Sequence, residues 1–442
     1  MASLARYKAR ATTAAEAVRR ITPGQRIFIG SGAAEPLTLV EALVGADHLA
    51  GNEVVHLLTL GPAPYVAPEL SARFRHTAFF IGANTRAAVN DGRADFMPVF
   101  LSEIPRLVRD GRLPIDVALI QVSPPDHHGF MTLGVSVDIV RAAVDTARYV
   151  VAEVNPRMPR TWGDTALHVD QVDAFVDVDC PLLQVDPGPL DAVTRAIGEN
   201  VARLVPDGAT LQMGIGRIPD AVLTALSNHR DLGVHTEMFS DGLMRLVESG
   251  VVNGRRKTFL PGRIVTSFVM GTKALYDWVH DHPAVEFRGS DFTNDPFNIA
   301  RNDRMIAINS AIEVDLTGQV AADSIGTRFY SGIGGQVDFI RGASRSHGGL
   351  PIIALPSTAA GGQVSRIQPV LEAGSGVVTS RGDVHFVVTE YGAADLWGRS
   401  VRARAEMLIG IAHPDFRGEL RAKAISRRYI ALTGAPPIER GR

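Results

Sequence analysis

Short apolar runs alternate with amphipathic segments of helical period along almost the whole chain. The runs Val117–Val122 and Tyr149–Val154 are each long enough for a buried strand, and Thr210–Met213 repeats the pattern in the second half. Strands that alternate with helices are typical of an α/β fold with a mainly parallel sheet, because a helix returns the chain between two parallel strands. We therefore predict that fold. Further strands are predicted at 26–29, 54–60, 78–81, 233–236, 265–269, 305–309, 352–355 and 385–389.

The first strand of each half is followed by the same arrangement of glycines. Residues 24–32 and 208–216 both begin and end with glycine, and both carry another glycine two positions before the end. In both, a strand lies between the glycines, and an amphipathic helix that begins with proline follows. The repeat predicts two related open α/β domains, 1–190 and 191–442, with mainly parallel sheets. A cleft between two such domains is a usual place for a ligand, so we expect the functional site there.

Length, charge and cysteine content narrow the class of protein. At 442 residues the chain exceeds an ordinary single core, which agrees with two domains. A formal net charge of −2 gives no electrostatic footprint for nucleic acid, and no apolar run reaches the roughly 18 residues that span a bilayer. Cys180 is the single cysteine, so an intrachain disulfide is excluded and a reducing compartment is favoured. We expect a cytoplasmic protein without nucleic-acid or membrane partners, whose residues 1–20 form the first helix of the fold.

Glu237 lies between a strand-like run and a glycine turn, and two glycine-rich loops, 214–219 and 331–336, flank it in sequence. Glycine allows backbone N–H groups to come close to a ligand. A carboxylate beside such N–H groups can act as a covalent catalyst of acyl transfer. The alternative is a salt-bridge partner or a solvated edge residue, which is the usual role of a glutamate beside a strand. His235, two residues earlier, is expected to be a satisfied core residue.

The loop that begins Gly214-Ile215-Gly216 follows a predicted strand and precedes a helix whose first turn holds Pro219. The free N–H groups and the positive end of that helix suit a phosphate or pyrophosphate. The loop lacks the third glycine of the dinucleotide fingerprint, which disfavours NAD and FAD. A tight strand-to-helix turn without a ligand is the alternative.

Two further patterns have both a chemical and a structural interpretation. Asp126-His127-His128 suggests a metal site, but three adjacent residues seldom converge on one ion, so we expect a turn and no metal. Asn294 and Gly335 are candidate hydrogen-bond donors, although Asn-Asp-Pro and glycine clusters also form turns without any chemistry.

Ten stretches, spread over nearly the whole chain, carry a family pattern. They are FFIGAN (79–84), GRAD (92–95), FLSEIP (100–105), SPPDHHGFMTLGVSVD (123–138), NPRMPRT (155–161), QMGIGRIPDAV (212–222), HTEMFSDG (235–242), INSAIEVD (308–315), GIGGQVDF (332–339) and ALPST (354–358). In this order they resemble the acetyl-CoA hydrolase/transferase family, in particular its 4-hydroxybutyrate, butyrate and acetate CoA-transferases. The resemblance is specific for the family and not for a substrate.

The resemblance implies a class I CoA-transferase that holds CoA as a glutamyl thioester. Glu237 falls on the catalytic glutamate because of its HTEMFSDG setting. Asn294 and Gly335 fall where related enzymes polarise the thioester carbonyl. The residues implied to bind CoA are Gly214, Ile215, Gly216, Arg217, Ile218, Gly332 and Gly334.

The implied function is transfer of CoA between an acyl-CoA, with acetyl-CoA as the expected donor, and a short-chain carboxylic acid such as 4-hydroxybutyrate or butyrate. CoA is then a substrate and product, no tightly bound cofactor is expected, and homologues of this kind suggest a homodimer. Two alternatives stay open: an acyl-CoA hydrolase on the same scaffold, and a non-catalytic regulator that binds CoA or a nucleotide. The intact setting of Glu237 argues against the regulator.

Overall fold

The structure is a computed structural model that describes residues 2–186, 188–214 and 216–431. It contains two large open sheets, one in each half of the chain, with helices around them. The predicted α/β fold with mainly parallel sheets is confirmed.

The first sheet has seven strands, and all of its neighbouring strands are parallel. In chain order these strands are β1 (Arg26–Ile29), β2 (Asn52–His56), β3 (Phe74–Ala78), β4 (Ala94–Phe96), β5 (Val117–Val122), β6 (Tyr149–Val154) and β7 (Ala174–Asp177). They lie in the order β7-β6-β5-β1-β2-β3-β4. Every residue of β5 and β6 is buried, as is usual where helices cover both faces of a parallel sheet.

The second sheet has six strands, of which the last is antiparallel to its neighbour and the others are parallel. In chain order they are β8 (Thr210–Met213), β9 (Gly233–Val234), β10 (Met305–Ser310), β11 (Leu350–Ala354), β12 (Phe386–Thr389) and β13 (Gly392–Asp395). They lie in the order β9-β8-β10-β11-β12-β13.

Helices connect the strands and cover the sheets. They are α1 (Ala2–Ala9), α2 (Ala14–Val18), α3 (Leu37–Gly45), α4 (Arg86–Asn90), α5 (Ile104–Arg109), α6 (Val140–Thr146), α7 (Ala192–Ala202), α8 (Arg217–Ala225), α9 (Asp241–Glu248), α10 (Lys273–Val279), α11 (Ser290–Thr293), α12 (Pro296–Ala300), α13 (Gln336–Arg345), α14 (Val401–Ile411) and α15 (Pro414–Ser426). Within the described part of the chain, no helix combines the length and the apolar character that crossing a bilayer requires.

Short strands form smaller sheets beside the two large ones. Those nearest the candidate site are Trp162–Gly163, Met238–Phe239, Ile264–Thr266, Phe268–Val269 and Val285–Phe287. Trp162–Gly163 belongs to the first half, yet it pairs with Val285–Phe287 of the second half. The largest buried apolar cluster also contains side chains of both halves. The domain limits at 190 and 191 therefore stay a prediction, because the halves share part of their structure.

Strands β1, β5, β6 and β8 have the predicted bounds. Three other predictions are wrong. The predicted strand 78–81 shares only Ala78 with β3, because that strand begins earlier, at Phe74. The predicted strand 265–269 is two strands, Ile264–Thr266 and Phe268–Val269, which pair in different small sheets. Residues 1–20 hold two helices, α1 and α2, because the side chain of Thr13 accepts a hydrogen bond at the start of α2 and so caps a new helix.

The first strand of each half sits where the strand order reverses, since β1 lies between β2 and β5, and β8 lies between β9 and β10. The glycine segments of the sequence repeat, 30–32 and 214–216, directly follow the carboxyl ends of these two strands. In open α/β sheets, ligands bind beside such reversal points. The repeat therefore marks two equivalent places in the fold.

Candidate active site

Glu237 lies where the chain leaves β9 and enters the short strand Met238–Phe239. Its C=O accepts hydrogen bonds from the N–H groups of Ser267 and Phe268, at 2.9 and 3.0 Å. Met238–Phe239 pairs in parallel with Phe268–Val269. The main chain is therefore held on both sides of Glu237, and the residue as a whole is half-buried.

Asn294 contacts the carboxylate of Glu237 directly. Its Nδ2 donates a hydrogen bond to Glu237 Oε2 at 2.8 Å. The Asn294 side chain is fully buried, and its Oδ1 has no hydrogen-bond partner among the described residues. Asn294 follows α11, so that short helix sets the position of the amide.

His235 supports this arrangement without reaching the carboxylate. Burial and the charge of Lys257 lower the pKa of His235 to about 3, against the opposing effect of its hydrogen bond to Thr293, so the ring is neutral at neutral pH. Its Nε2 donates to the C=O of Thr293, at 2.8 Å, immediately before Asn294. His235 is therefore a core residue, as expected, but it is only partly satisfied, because its buried Nδ1 has no hydrogen-bond partner among the described residues.

Gly335 completes the group at the start of α13, where it is the N-cap residue. A Cβ added to Gly335 would overlap both Glu237 Oε2 and Asn294 Nδ2, and would lie 3.1 Å from Glu237 Cδ. Its φ of −97° suits any residue, so the close approach explains the glycine. The structure thus brings together all three residues predicted as catalytic, and their roles stay predictions.

The electrostatic environment of Glu237 favours a proton on its carboxyl group. Burial raises the pKa of Glu237 to about 7, the hydrogen bond from Asn294 lowers it, and the charge of Asp138 raises it. A poorly solvated carboxylate of raised pKa is a stronger nucleophile when it is ionised. The site is therefore suited to covalent catalysis by a carboxylate near neutral pH.

Two buried aspartates whose charges interact with Glu237 were not predicted as site residues from the sequence. Burial raises the pKa of Asp138 to about 6 and the pKa of Asp338 to about 7, and the charge of Glu237 contributes to the latter. Asp138 accepts a hydrogen bond from Ser31 Oγ at 2.9 Å, and its Oδ2 has no partner among the described residues. Asp338 accepts hydrogen bonds from the N–H and Oγ of Ser102. Both aspartates belong to the family stretches, but no local pattern singles them out.

The glycines predicted to bind CoA in the second loop pack against the first half of the chain. A Cβ at Gly332 would lie 2.9 Å from the O of Phe79, and one at Gly334 would lie 3.3 Å from the ring of Phe80. The C=O of Ser331 accepts a hydrogen bond from the N–H of Ile81 at 3.1 Å. These contacts give both glycines a packing role, and CoA binding by them stays a prediction.

The first glycine loop lies beside the same site, because Thr236 Oγ1 donates to the C=O of Met213 at 3.2 Å. Gly216 is the N-cap of α8 with a φ of +107°, a conformation that favours glycine, and a Cβ there would meet open space. The exposed Arg217 forms an ion pair with Asp191 at 3.1 Å.

Of the remaining residues in this loop, Ile218 is half-buried in α8. A Cβ added to Gly214 would lie 3.9 Å from its nearest neighbouring atoms, so the backbone there is not crowded. Ile215 lies outside the described residues. The described loop is an accessible helix N-terminus, which suits an anion such as a phosphate of CoA.

Asp126-His127-His128 forms the expected turn. Asp126 Oδ1 accepts hydrogen bonds from the N–H groups of His128 and Phe130, both at 2.9 Å, and the two histidines are exposed. This pattern explains the aspartate as a turn residue.

Known proteins match this chain over almost its full length. The 4-hydroxybutyrate coenzyme A transferase of Clostridium kluyveri is 52% identical, over 94% of this chain and 97% of that protein. The crystal structure of RipA from Yersinia pestis has a TM-score of 0.93 and 38% identity, covering 97% of this chain and 100% of that one. The 4-hydroxybutyrate CoA-transferase of Porphyromonas gingivalis has a TM-score of 0.83 and 42% identity, covering 96% and 98%.

Family descriptions match both halves separately. Residues 1–183 match the acetyl-CoA hydrolase/transferase N-terminal domain, and residues 271–424 match the acetyl-CoA hydrolase/transferase C-terminal domain. Together with the relatives above, these matches confirm the family that the sequence stretches resemble. The chain belongs to the acetyl-CoA hydrolase/transferase family and is an enzyme of the CoA-transferase type.

Proposed function

We propose that this enzyme transfers CoA between a short-chain acyl-CoA, acetyl-CoA among them, and a carboxylic acid such as 4-hydroxybutyrate or butyrate. The transfer passes through a glutamyl-CoA thioester on Glu237. The observation that carries the proposal is the position of the Glu237 carboxylate, 2.8 Å from Asn294 Nδ2 and directly against Gly335. The names of the two 4-hydroxybutyrate CoA-transferases support the choice of acid.

In the first half-reaction, a carboxylate oxygen of Glu237 attacks the thioester carbonyl of the acyl-CoA. The carbon–sulfur bond breaks, which gives a mixed anhydride and CoA thiolate. The thiolate then attacks the glutamyl carbonyl, the donor acid leaves as its carboxylate, and CoA is held on the enzyme as a thioester.

In the second half-reaction, the carboxylate of the acceptor acid attacks the glutamyl thioester and releases CoA thiolate. The thiolate attacks the acyl carbonyl of the new anhydride, and the carboxylate of Glu237 is regenerated as the leaving group. No step delivers an acyl group to water, so the free energy of the thioester is retained in the product.

Each tetrahedral intermediate needs hydrogen-bond donors for its oxyanion. Asn294 Nδ2 and the N–H of Gly335, at the start of α13, supply them in this proposal. The loop Gly214–Ile218 binds the distant part of CoA, whose binding energy positions the thioester. Arg217→Ala is therefore expected to raise the KM for acetyl-CoA more than it lowers kcat.

A covalent adduct is the direct test. Incubation with acetyl-CoA in the absence of an acceptor acid should leave a CoA-sized adduct that intact-protein mass spectrometry detects and hydroxylamine removes. The adduct should be absent in Glu237→Ala. An adduct that persists in Glu237→Ala would place the nucleophile on another residue.

Hydrolysis of acetyl-CoA is the second candidate, and the 28% identity of this chain to the acetyl-CoA hydrolase of Candida albicans supports it. We propose that transfer dominates. Acetyl-CoA consumption should rise sharply when butyrate, propionate or 4-hydroxybutyrate is added, with an equal amount of the matching acyl-CoA. Loss of acetyl-CoA at an unchanged rate without any acceptor, with release of free CoA, would make the enzyme a hydrolase.

We also propose a homodimer in the cytoplasm. The family resemblance supports the dimer, and the single cysteine, Cys180, supports a reducing compartment. Size-exclusion chromatography with light scattering distinguishes one chain of 47.4 kDa from two.

A further inference from the structure

The stretch FLSEIP at 100–105 has no role in the proposed chemistry, although it belongs to the family pattern. Its second and third residues, Leu101 and Ser102, lie at the start of a short 3-10 turn that precedes α5. Leu101 is buried, and both residues contact the second half of the chain. These contacts reach the segments that carry Asn294 and Gly335.

The first set of contacts holds the turn of Gly335. The N–H of Leu101 donates to the C=O of Gly334 at 3.1 Å. Ser102 donates twice to the carboxylate of Asp338, from N–H to Oδ2 at 3.1 Å and from Oγ to Oδ1 at 2.9 Å. Asp338 lies in the first turn of α13, where a carboxylate also interacts favourably with the helix dipole. Gly335 is thus fixed from both sides.

The second contact holds the helix that leads to Asn294. Ser290, the first residue of α11, donates from Oγ to the C=O of Leu101 at 3.0 Å. The N–H of Ser290 donates to the C=O of Asp138 at 2.9 Å, and the C=O of Ser290 accepts from the N–H of Asn294 at 2.9 Å. A buried serine therefore links Leu101 to Asn294 through a single turn of helix.

We propose that the dipeptide Leu101–Ser102 is a positioning element that sets both oxyanion donors, Asn294 and Gly335, against Glu237. The inference rests on the proposed function, because it assigns those donors to the transition state. The two donors come from distant parts of the sequence, and one dipeptide of the other half anchors both. A displacement of about 1 Å at such a site can cost up to about 10² in rate.

The test compares the loss of single anchoring hydroxyls in the full-length enzyme. Ser102→Ala and Ser290→Ala should each lower kcat about tenfold or more, since misplaced donors act on the transition state. The KM values for acetyl-CoA and butyrate should change by less than about twofold, because ground-state binding does not depend on these donors. The rate of adduct formation on Glu237 should fall with kcat.

Ser365→Ala is the matched control. Ser365 is buried in a small sheet of the second half, and its Oγ donates to the C=O of Ile367 at 2.7 Å, so its replacement also removes one serine hydrogen bond. We expect unchanged kcat in this variant. An equal loss of kcat in Ser365→Ala and Ser102→Ala would overturn the proposal, because it would reflect a general loss of stability.

A double-mutant cycle tests the contact between Ser102 and Asp338. Asp338→Asn keeps an oxygen that accepts from Ser102, so its kcat should stay well above that of Asp338→Ala. The variant carrying both Ser102→Ala and Asp338→Ala should be no slower than Asp338→Ala alone, because both changes break the same contact. Fully multiplicative effects, or equal damage from Asn and Ala at position 338, would contradict the positioning role.

Failure of the inference is distinguishable from failure of the proposed function. If the wild-type enzyme forms no adduct on Glu237, the proposed function is wrong. If the wild type forms the adduct and both Ser102→Ala and Ser290→Ala form it at the wild-type rate, only the positioning role is wrong. Should Ser102→Ala fail to fold, Ser290→Ala provides the test through the second contact.

Discussion

Asn294 Nδ2 lies 2.8 Å from Glu237 Oε2, so the amide that we propose as an oxyanion donor also holds the proposed nucleophile in position. Loss of one oxyanion donor typically costs about 10²–10³ in kcat. We therefore expect Asn294→Ala to lower kcat by that amount with little change in the KM for acetyl-CoA. A variant that loses affinity for acetyl-CoA at normal kcat would show that Asn294 serves binding instead.

The raised pKa of Glu237 predicts the pH dependence of the reaction. In the proposed mechanism Glu237 attacks only when ionised, so kcat/KM should rise with pH through a midpoint near 7. The charge of Asp138 contributes to that rise in pKa, and Asp138→Asn should move the midpoint to lower pH. The profile is measured between pH 5 and 9 with acetyl-CoA and butyrate. An identical midpoint in Asp138→Asn would contradict the electrostatic coupling of the two carboxyl groups.

The raised pKa of Glu237 also makes the free energy of unfolding depend on pH. The pKa of Glu237 in the folded state, about 7, exceeds its ordinary value of 4.5, so the folded protein binds the proton more tightly than the unfolded chain. This contribution is fully present below pH 4.5 and is lost as the pH rises through 7. Glu237→Gln should therefore raise the midpoint of thermal unfolding at pH 8 and raise it less at pH 5. A larger gain at pH 5 would reverse the assigned sign.

Gly335 should tolerate no side chain. A Cβ there would overlap Glu237 Oε2 and Asn294 Nδ2, so Gly335→Ala should lower kcat strongly while affinity for CoA changes little. Gly410→Ala in α14 is the control, because a Cβ at Gly410 meets nothing within 4 Å. Intact turnover with weakened CoA binding in Gly335→Ala would instead identify the loop as a cradle for CoA.

The sequence predicted those parts of the fold that depend on local pattern. Val117–Val122 and Thr210–Met213 are continuous buried strands, and their apolar runs have the same bounds. The predicted strand 265–269 failed because pairing partners, which lie far away in the chain, divide it at Ser267. Local pattern carries no information about such partners.

The candidate site was likewise predicted only in part from the sequence. Glu237, Asn294 and Gly335 were found from motif settings, and the structure brings them together. Asp138 and Asp338 were missed because a carboxylate becomes significant only when folding buries it beside another one. Each is an ordinary aspartate in the sequence, so only the folded structure assigns it to the site.

The strand Trp162–Gly163 has a consequence for how the protein is made. It completes a sheet whose other strands, Ile264–Thr266 and Val285–Phe287, emerge from the ribosome much later. A nascent chain that stops at residue 190 still exposes this edge and the apolar side chains that the second half covers. The first half therefore reaches its final form only after synthesis has passed Phe287. A fragment that ends at residue 190 is expected to aggregate rather than accumulate as a separate domain.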